Sequence, residues 1–327
     1  MLRPMDAYKF FFNDKRHLRS AWRLCLFVVA FYMCAALTQV LLAGVISLTL
    51  LRSGSELAGS GWGLIADHGA ILISAALTGW GCGRLFEGLP LAALGCSPQP
   101  GWLKDLGLGS VLGAASLLIA ALLATALHGV HFSIDQVSAG SIGKTLAVSG
   151  LVFIFAAAAE EMFFRGYPLQ TLARANLAWL GVLVTAVAFA SVHLGNPNVV
   201  PRLTFLNTAL AGVLLAVGYL RTQSLWFPIG WHWSWNWMQG AIVGLPVSGI
   251  NRMAPAPLLQ AMNAGPDWLT GGAYGIEGGA ACTVALLIST LIIWRTKLLT
   301  RADVPTVLCQ KPARQQGPGR PPSRSGF

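Results

Sequence analysis

Eight predominantly apolar stretches, at approximately 22 to 51, 62 to 83, 105 to 127, 142 to 164, 177 to 193, 203 to 221, 224 to 244 and 276 to 296, govern what this chain can fold into. A helix needs roughly 20 such residues to cross a bilayer, so the chain reads as an all-α integral membrane protein with about eight transmembrane helices. The composition agrees. Of 327 residues, 55% are hydrophobic and 10% charged, whereas about a quarter of the residues of a soluble domain are charged. The second stretch is the weakest, because Asp67 and His68 interrupt it. The fourth carries Glu160 and Glu161 and is expected to continue as one helix to about Arg174.

A net charge of +10 would suggest a nucleic-acid ligand in a soluble protein. Here the basic residues gather at the N-terminus, at the tail and in alternate connections. With the N-terminus in the cytoplasm, 18 of the 22 Lys and Arg residues fall inside, leaving Arg52, Lys144, Arg202 and Arg252 outside. That asymmetry sets orientation in a membrane. It predicts a multi-pass protein, in the plasma membrane if the host is a bacterium, with both termini cytoplasmic and no nucleic-acid partner.

The chain divides into a basic N-terminal segment at 1–21, a three-helix transmembrane region at 22–141, a five-helix transmembrane domain at 142–296 and a basic, proline-rich tail at 297–327, expected to be disordered. The loop from Leu245 to Gly275, with four prolines, is expected outside as irregular chain. Six cysteines without metal-ligand spacing read as small core residues.

Charge inside such helices is expensive, at about 2.5 to 3.5 kcal/mol for one Asp or Arg at mid-membrane, so its placement asks for a reason. The fourth stretch ends in AAAAEEMFFR, Ala156 to Arg165. Residues four apart share a helix face, so Glu161 can pair with Arg165 while Glu160 points elsewhere as an uncommitted carboxylate, the kind of group that serves as a general base. Packing and snorkelling would account for an isolated Glu pair equally well. His193 ends the fifth stretch, and it and Glu160 are equidistant from about residue 176. A hairpin turning there sets both at one depth, roughly 25 Å from the turn at 1.5 Å per residue. In the seventh stretch His232 and Asn236 are four apart and can aim two donors at one point, as a developing oxyanion requires. The tryptophans around them, Trp226, Trp231, Trp233, Trp235 and Trp237, read as an interfacial aromatic belt. No HExxH occurs, and Ser191 and Ser234 lack a GxSxG-type turn, so the pattern is one of water activation without a covalent nucleophile.

The three motifs, EExxxR at Glu160 to Arg165, FxxxH at Phe189 to His193 and HxxxN at His232 to Asn236, resemble in this order those of the CPBP family. That family comprises the type II CAAX prenyl proteases and related bacteriocin-processing or immunity proteins, also called the Abi family. RGYPLQ after the first motif and YLRTQSLWFPIGWH before the third agree with it, over roughly residues 145 to 245. Gln223, where the family usually has Gly, and Pro168 are departures that touch none of the presumed chemistry.

The resemblance implies an intramembrane endopeptidase acting on a membrane-associated protein or lipidated peptide. Glu160 would be the base and His193 would position water. His232 and Asn236 would stabilise the oxyanion, and Glu161, Arg165 and Phe189 would support them. A divalent metal such as zinc stays open, with Glu160, His193 and His232 as candidate ligands. Asn236 beside His232 suits an oxyanion hole better than a ligand shell. Two other classes stand beside proteolysis: a non-catalytic immunity or scaffold protein of the same fold, and a proton relay or transporter, which the lack of repeat symmetry disfavours.

Overall fold

The computed structural model describes residues 4–13, 16–50, 60–134, 137–251 and 253–299, and the proline-rich tail lies outside them apart from its first residues. After a short helix α1 (Pro4–Phe11) come α2 (Ser20–Leu50), α3 (Gly61–Glu87) and α4 (Trp102–Ala126). Strand β1 (Val130–Ser133) follows, and then a long helical passage. In that passage α5 (Ala139–Glu161) runs through a π-helical turn (Met162–Gly166) into α6 (Tyr167–Arg174). Helices α7 (Ala178–His193), α8 (Pro201–Thr222) and α9 (Trp226–Trp237, with a second π turn over Met238–Ile242) come next. Strand β2 (Gln260–Asn263), the one-turn α10 (Asp267–Thr270) and α11 (Ala280–Arg295) complete the described chain. Among the described residues five helical passages, α2, α3, α4, α5–α6 and α8, are long and apolar enough to cross a membrane, while α7 and α11 are shorter apolar helices. The protein is therefore an all-α multi-pass membrane protein, with one two-stranded sheet among the described residues.

Connections gather at two ends, so successive long helices run in opposite directions. At one end Glu87 closes α3 by pairing with Arg23 of α2 at 3.2 Å and Arg174 of α6 at 2.6 Å. There too Gln170 Nε2 donates to the Leu94 carbonyl, the Leu225 N–H donates to Gly95, and Arg221 donates to the carbonyls of Trp294 and Thr296. At the other end β1 pairs antiparallel with β2, Val130 opposite Asn263. Beside it, Asn196 and Asn198 donate to the carbonyls of Ser248 and Gly249. The segment after α9 is thus an ordered cap. It is not the irregular chain its prolines suggested, because its backbone groups find partners in β1, in the α7–α8 link and in its own turns.

Helix α4 packs closest to α9. A Cβ on Gly109 or Gly113 would collide with the Phe227 or Trp231 carbonyl, and one on Gly230 would collide with that of Leu106. Small residues let backbones approach where lipid offers no hydrophobic drive for association. The tryptophans of α9 do not form the belt their number suggested. Trp231 and Trp235 are buried and stacked at 5.2 Å, while Trp233 and Trp237 stack at 5.8 Å and donate to the α5 carbonyls of Gly150 and Leu146. Four-residue spacing aligns each pair on one helix face. The five described cysteines are all free, with Cys82 and Cys282 buried, Cys34 and Cys96 partly so, and Cys25 exposed; Cys309 lies outside the described residues.

Gln223 follows α8 with φ 57°, in the left-handed region. Glycine takes that conformation at a helix end without the steric cost an L side chain pays, about 1 to 2 kcal/mol. Gln223→Gly is therefore expected to stabilise the fold by about 1 kcal/mol, less whatever the side-chain hydrogen bond from Gln223 Nε2 to the Leu220 carbonyl contributes. A lower unfolding midpoint in detergent would contradict this.

Candidate active site

The π turn shapes the site. Pro168 lacks the N–H that would continue the α-helix and its ring crowds the carbonyl four residues back. The wider turn over Met162–Gly166 sits directly before it. Within that turn Arg165 is fully buried, with Nη1 3.0 Å from Glu161 Oε1 and Nη2 donating to the Gly212 carbonyl of α8 at 3.0 Å. Gly212 also lets α7 and α8 pack closely, because a Cβ there would press on the backbone of Ala186 in α7. The guanidinium also lies over the Phe189 ring at 4.7 Å. Phe189 in turn meets His193 and His232, with ring centroids 4.6 and 5.9 Å away, so one aromatic shelf holds the cation and both imidazoles.

Each imidazole is oriented from behind. His193 Nδ1 lies 2.7 Å from the Phe189 carbonyl, which can only accept, so Nδ1 carries the proton. His232 Nδ1 lies 3.1 Å from Glu161 Oε1 and donates in the same way. Both rings therefore present Nε2 to Glu160, whose Oε2 is 3.9 Å from His193 Nε2 and 3.8 Å from His232 Nε2. That oxygen is buried and takes no hydrogen bond from the described residues, although the Glu160 side chain as a whole is about a third exposed. The separations are too long for direct hydrogen bonds and suit two bonds that share one bridging oxygen. Asn236, one turn beyond His232, is buried and lines the same small cavity as His193 and His232.

The sequence expectation of two different carboxylates matches this geometry. Glu161 pairs with Arg165 while Glu160 stays uncommitted and level with His193. The bond from His232 to Glu161 had no signal in the sequence, since the two residues are 71 positions apart.

A carboxylate and two imidazoles have the composition of a zinc donor set. Ligand atoms about 2.0 to 2.1 Å from a tetrahedral zinc stand about 3.4 Å apart, closer than the 3.8 and 3.9 Å here. Among the described residues no group of three or more His, Cys, Asp or Glu side chains is arranged to hold a metal ion. As placed, these atoms do not form a preformed metal site.

Residues 142–238 match the family described as type II CAAX prenyl endopeptidase Rce1-like. The matched segment runs from α5 into the second π turn and includes all three motifs. No curated protein and no solved structure matches the chain.

Proposed function

We propose that this chain, whose residues 142–238 carry the Rce1-like type II CAAX prenyl endopeptidase family, hydrolyses a peptide bond of a membrane-associated or lipidated substrate with water activated by Glu160. The observation that carries the reading is the buried Oε2 of Glu160, unpartnered and facing two imidazole Nε2 atoms. Glu160 takes one proton from the water as its oxygen attacks the carbonyl carbon. His193 Nε2 accepts a hydrogen bond from the second water proton and fixes the direction of attack. The oxyanion receives hydrogen bonds from His232 Nε2–H and the Asn236 amide. Because the His232 Nδ1 proton is held on Glu161, Nε2 carries a proton only in the doubly protonated ring, and Glu161 is the counter-charge for that form. Collapse of the tetrahedral intermediate passes the proton on Glu160 to the leaving nitrogen and releases an acid and an amine.

The reaction tests the proposal directly. Purified protein in detergent is expected to cleave a prenylated CaaX peptide or a membrane peptide into two products whose masses sum to that of the substrate plus one water. No cleavage of either by folded protein would overturn it.

Orientation follows from charge. The end that gathers Arg23, Arg84, Lys104, Arg174, Arg221 and Arg295 is cytoplasmic by the asymmetry of Lys and Arg. His193 closes α7 at the opposite end, beside the cap. In intact cells a membrane-impermeant thiol reagent is expected to label a cysteine placed at Ala264 of the cap and to spare one placed at Gln99, in a background lacking the native cysteines. The reverse pattern would contradict this orientation.

A further inference from the structure

The cavity beside His193, His232 and Asn236 holds about 40 Å³ and is also lined by Glu277, which lies outside the segment that matches the family. Glu277 is held firmly. Its Oε2 accepts from the Ser248 N–H at 2.6 Å and the Ser248 hydroxyl at 3.0 Å. Its backbone carbonyl accepts from Asn207 Nδ2 at 2.8 Å, and Asn207 Oδ1 accepts from Thr283 at 2.6 Å. Tying down the Ser248 turn uses one oxygen, and a neutral Gln could supply it. Among the described residues the second oxygen takes no hydrogen bond and no Lys or Arg pairs with the carboxylate. A half-buried, uncompensated carboxylate on a cavity wall asks for a cation.

The remaining walls specify its shape. Leu215, Trp231, Trp235 and Leu286 give the cavity an apolar and aromatic lining. That suits the methylene stem of a long basic side chain, with indole faces adding attraction for its charge. The volume admits a few water-sized groups, which matches a charged head and its last carbons.

We propose that Glu277 is a specificity residue: its carboxylate receives the charged head of a substrate Lys or Arg, so the peptides cut by this protein carry a basic residue near the scissile bond. The inference rests on the proteolytic reading for its assay, and the test separates the two. Membrane peptides carrying Lys, Arg or norleucine at each position around the cut are compared by kcat/KM. The basic peptide is expected to be favoured about tenfold or more at one position, the scale of a charge-assisted hydrogen bond. Glu277→Gln is expected to bring that ratio near one and Glu277→Lys to shift the preference toward Glu. The ratio does not depend on the folded fraction, and a purely structural role would lower both rates alike. Binding of the same labelled peptides to Glu160→Gln protein, followed by fluorescence anisotropy, gives a second readout. A basic preference there that disappears on adding Glu277→Gln supports the inference even if the wild type cuts nothing, a result that would overturn proteolysis alone. A preference unchanged by Glu277→Gln in both assays overturns the inference and leaves proteolysis standing.

Discussion

Glu160→Gln is expected to lower kcat/KM by about 10³-fold or more, within the range by which positioned general acid–base groups act, while the protein stays folded. The substitution keeps the volume of the side chain and removes its basicity. It breaks no hydrogen bond at Oε2, which has no donor among the described residues. Removing a partly buried charge that takes no hydrogen bond at Oε2 among the described residues should leave the unfolding midpoint unchanged or slightly higher. Cleavage rate and thermal midpoint measured on one preparation check both halves. Activity within tenfold of wild type would remove Glu160 from the reaction.

Glu161→Ala acts on the fold instead. It leaves the Arg165 guanidinium fully buried without its counter-charge, and breaking a buried ion pair by removing one partner costs about 3 to 5 kcal/mol. Total stability is only about 5 to 15 kcal/mol for a typical domain, so a loss of this size is a large fraction of it and a clearly lower unfolding midpoint is expected. The double variant Glu161→Leu/Arg165→Met removes both charges and is expected to recover much of that stability. It should not recover activity, because His232 Nδ1 has lost the carboxylate that orients it. Midpoints from thermal unfolding, with cleavage rates beside them, separate the two effects. A Glu161→Ala protein as stable as wild type would contradict the account of the pair.

How far the sequence reveals this architecture depends on the range of each interaction. The long helices follow from the length of the apolar runs, and Asp67 and His68 do not break α3. His68 turns its Nδ1 back to the Leu64 carbonyl within its own helix. The tight link between α6 and α7 is legible in Asn176, which adopts φ 61°, a left-handed conformation that Asn tolerates. The cap was read as irregular because its order comes from β1, more than 120 residues away, and from links to the α7–α8 turn. The tryptophans of α9 were misread because composition cannot distinguish an indole facing lipid from one clamped to a carbonyl of a neighbouring helix.

The candidate site divides along the same line. Spacing within one helix separates the faces of Glu160 and Glu161, and the hairpin arithmetic brings His193 level with Glu160. Neither reaches the π turn over Met162–Gly166, which arises from the conflict between Pro168 and a continuous α-helix, nor the second one over Met238–Ile242. Nor does either reach Gly212, Ser248 or Glu277, whose roles depend on packing between distant segments. The placing of Phe189 under both imidazoles and the guanidinium belongs to the same class.

The central claim is that Glu160 and His193 act on one water, and a double-variant cycle tests it most directly. Groups that work as a unit are strongly non-additive. The account predicts that Glu160→Gln/His193→Ala, assayed in detergent against the same peptide, loses little more activity than Glu160→Gln alone. Losses that multiply, with each single variant retaining its own independent share of the rate, would contradict it.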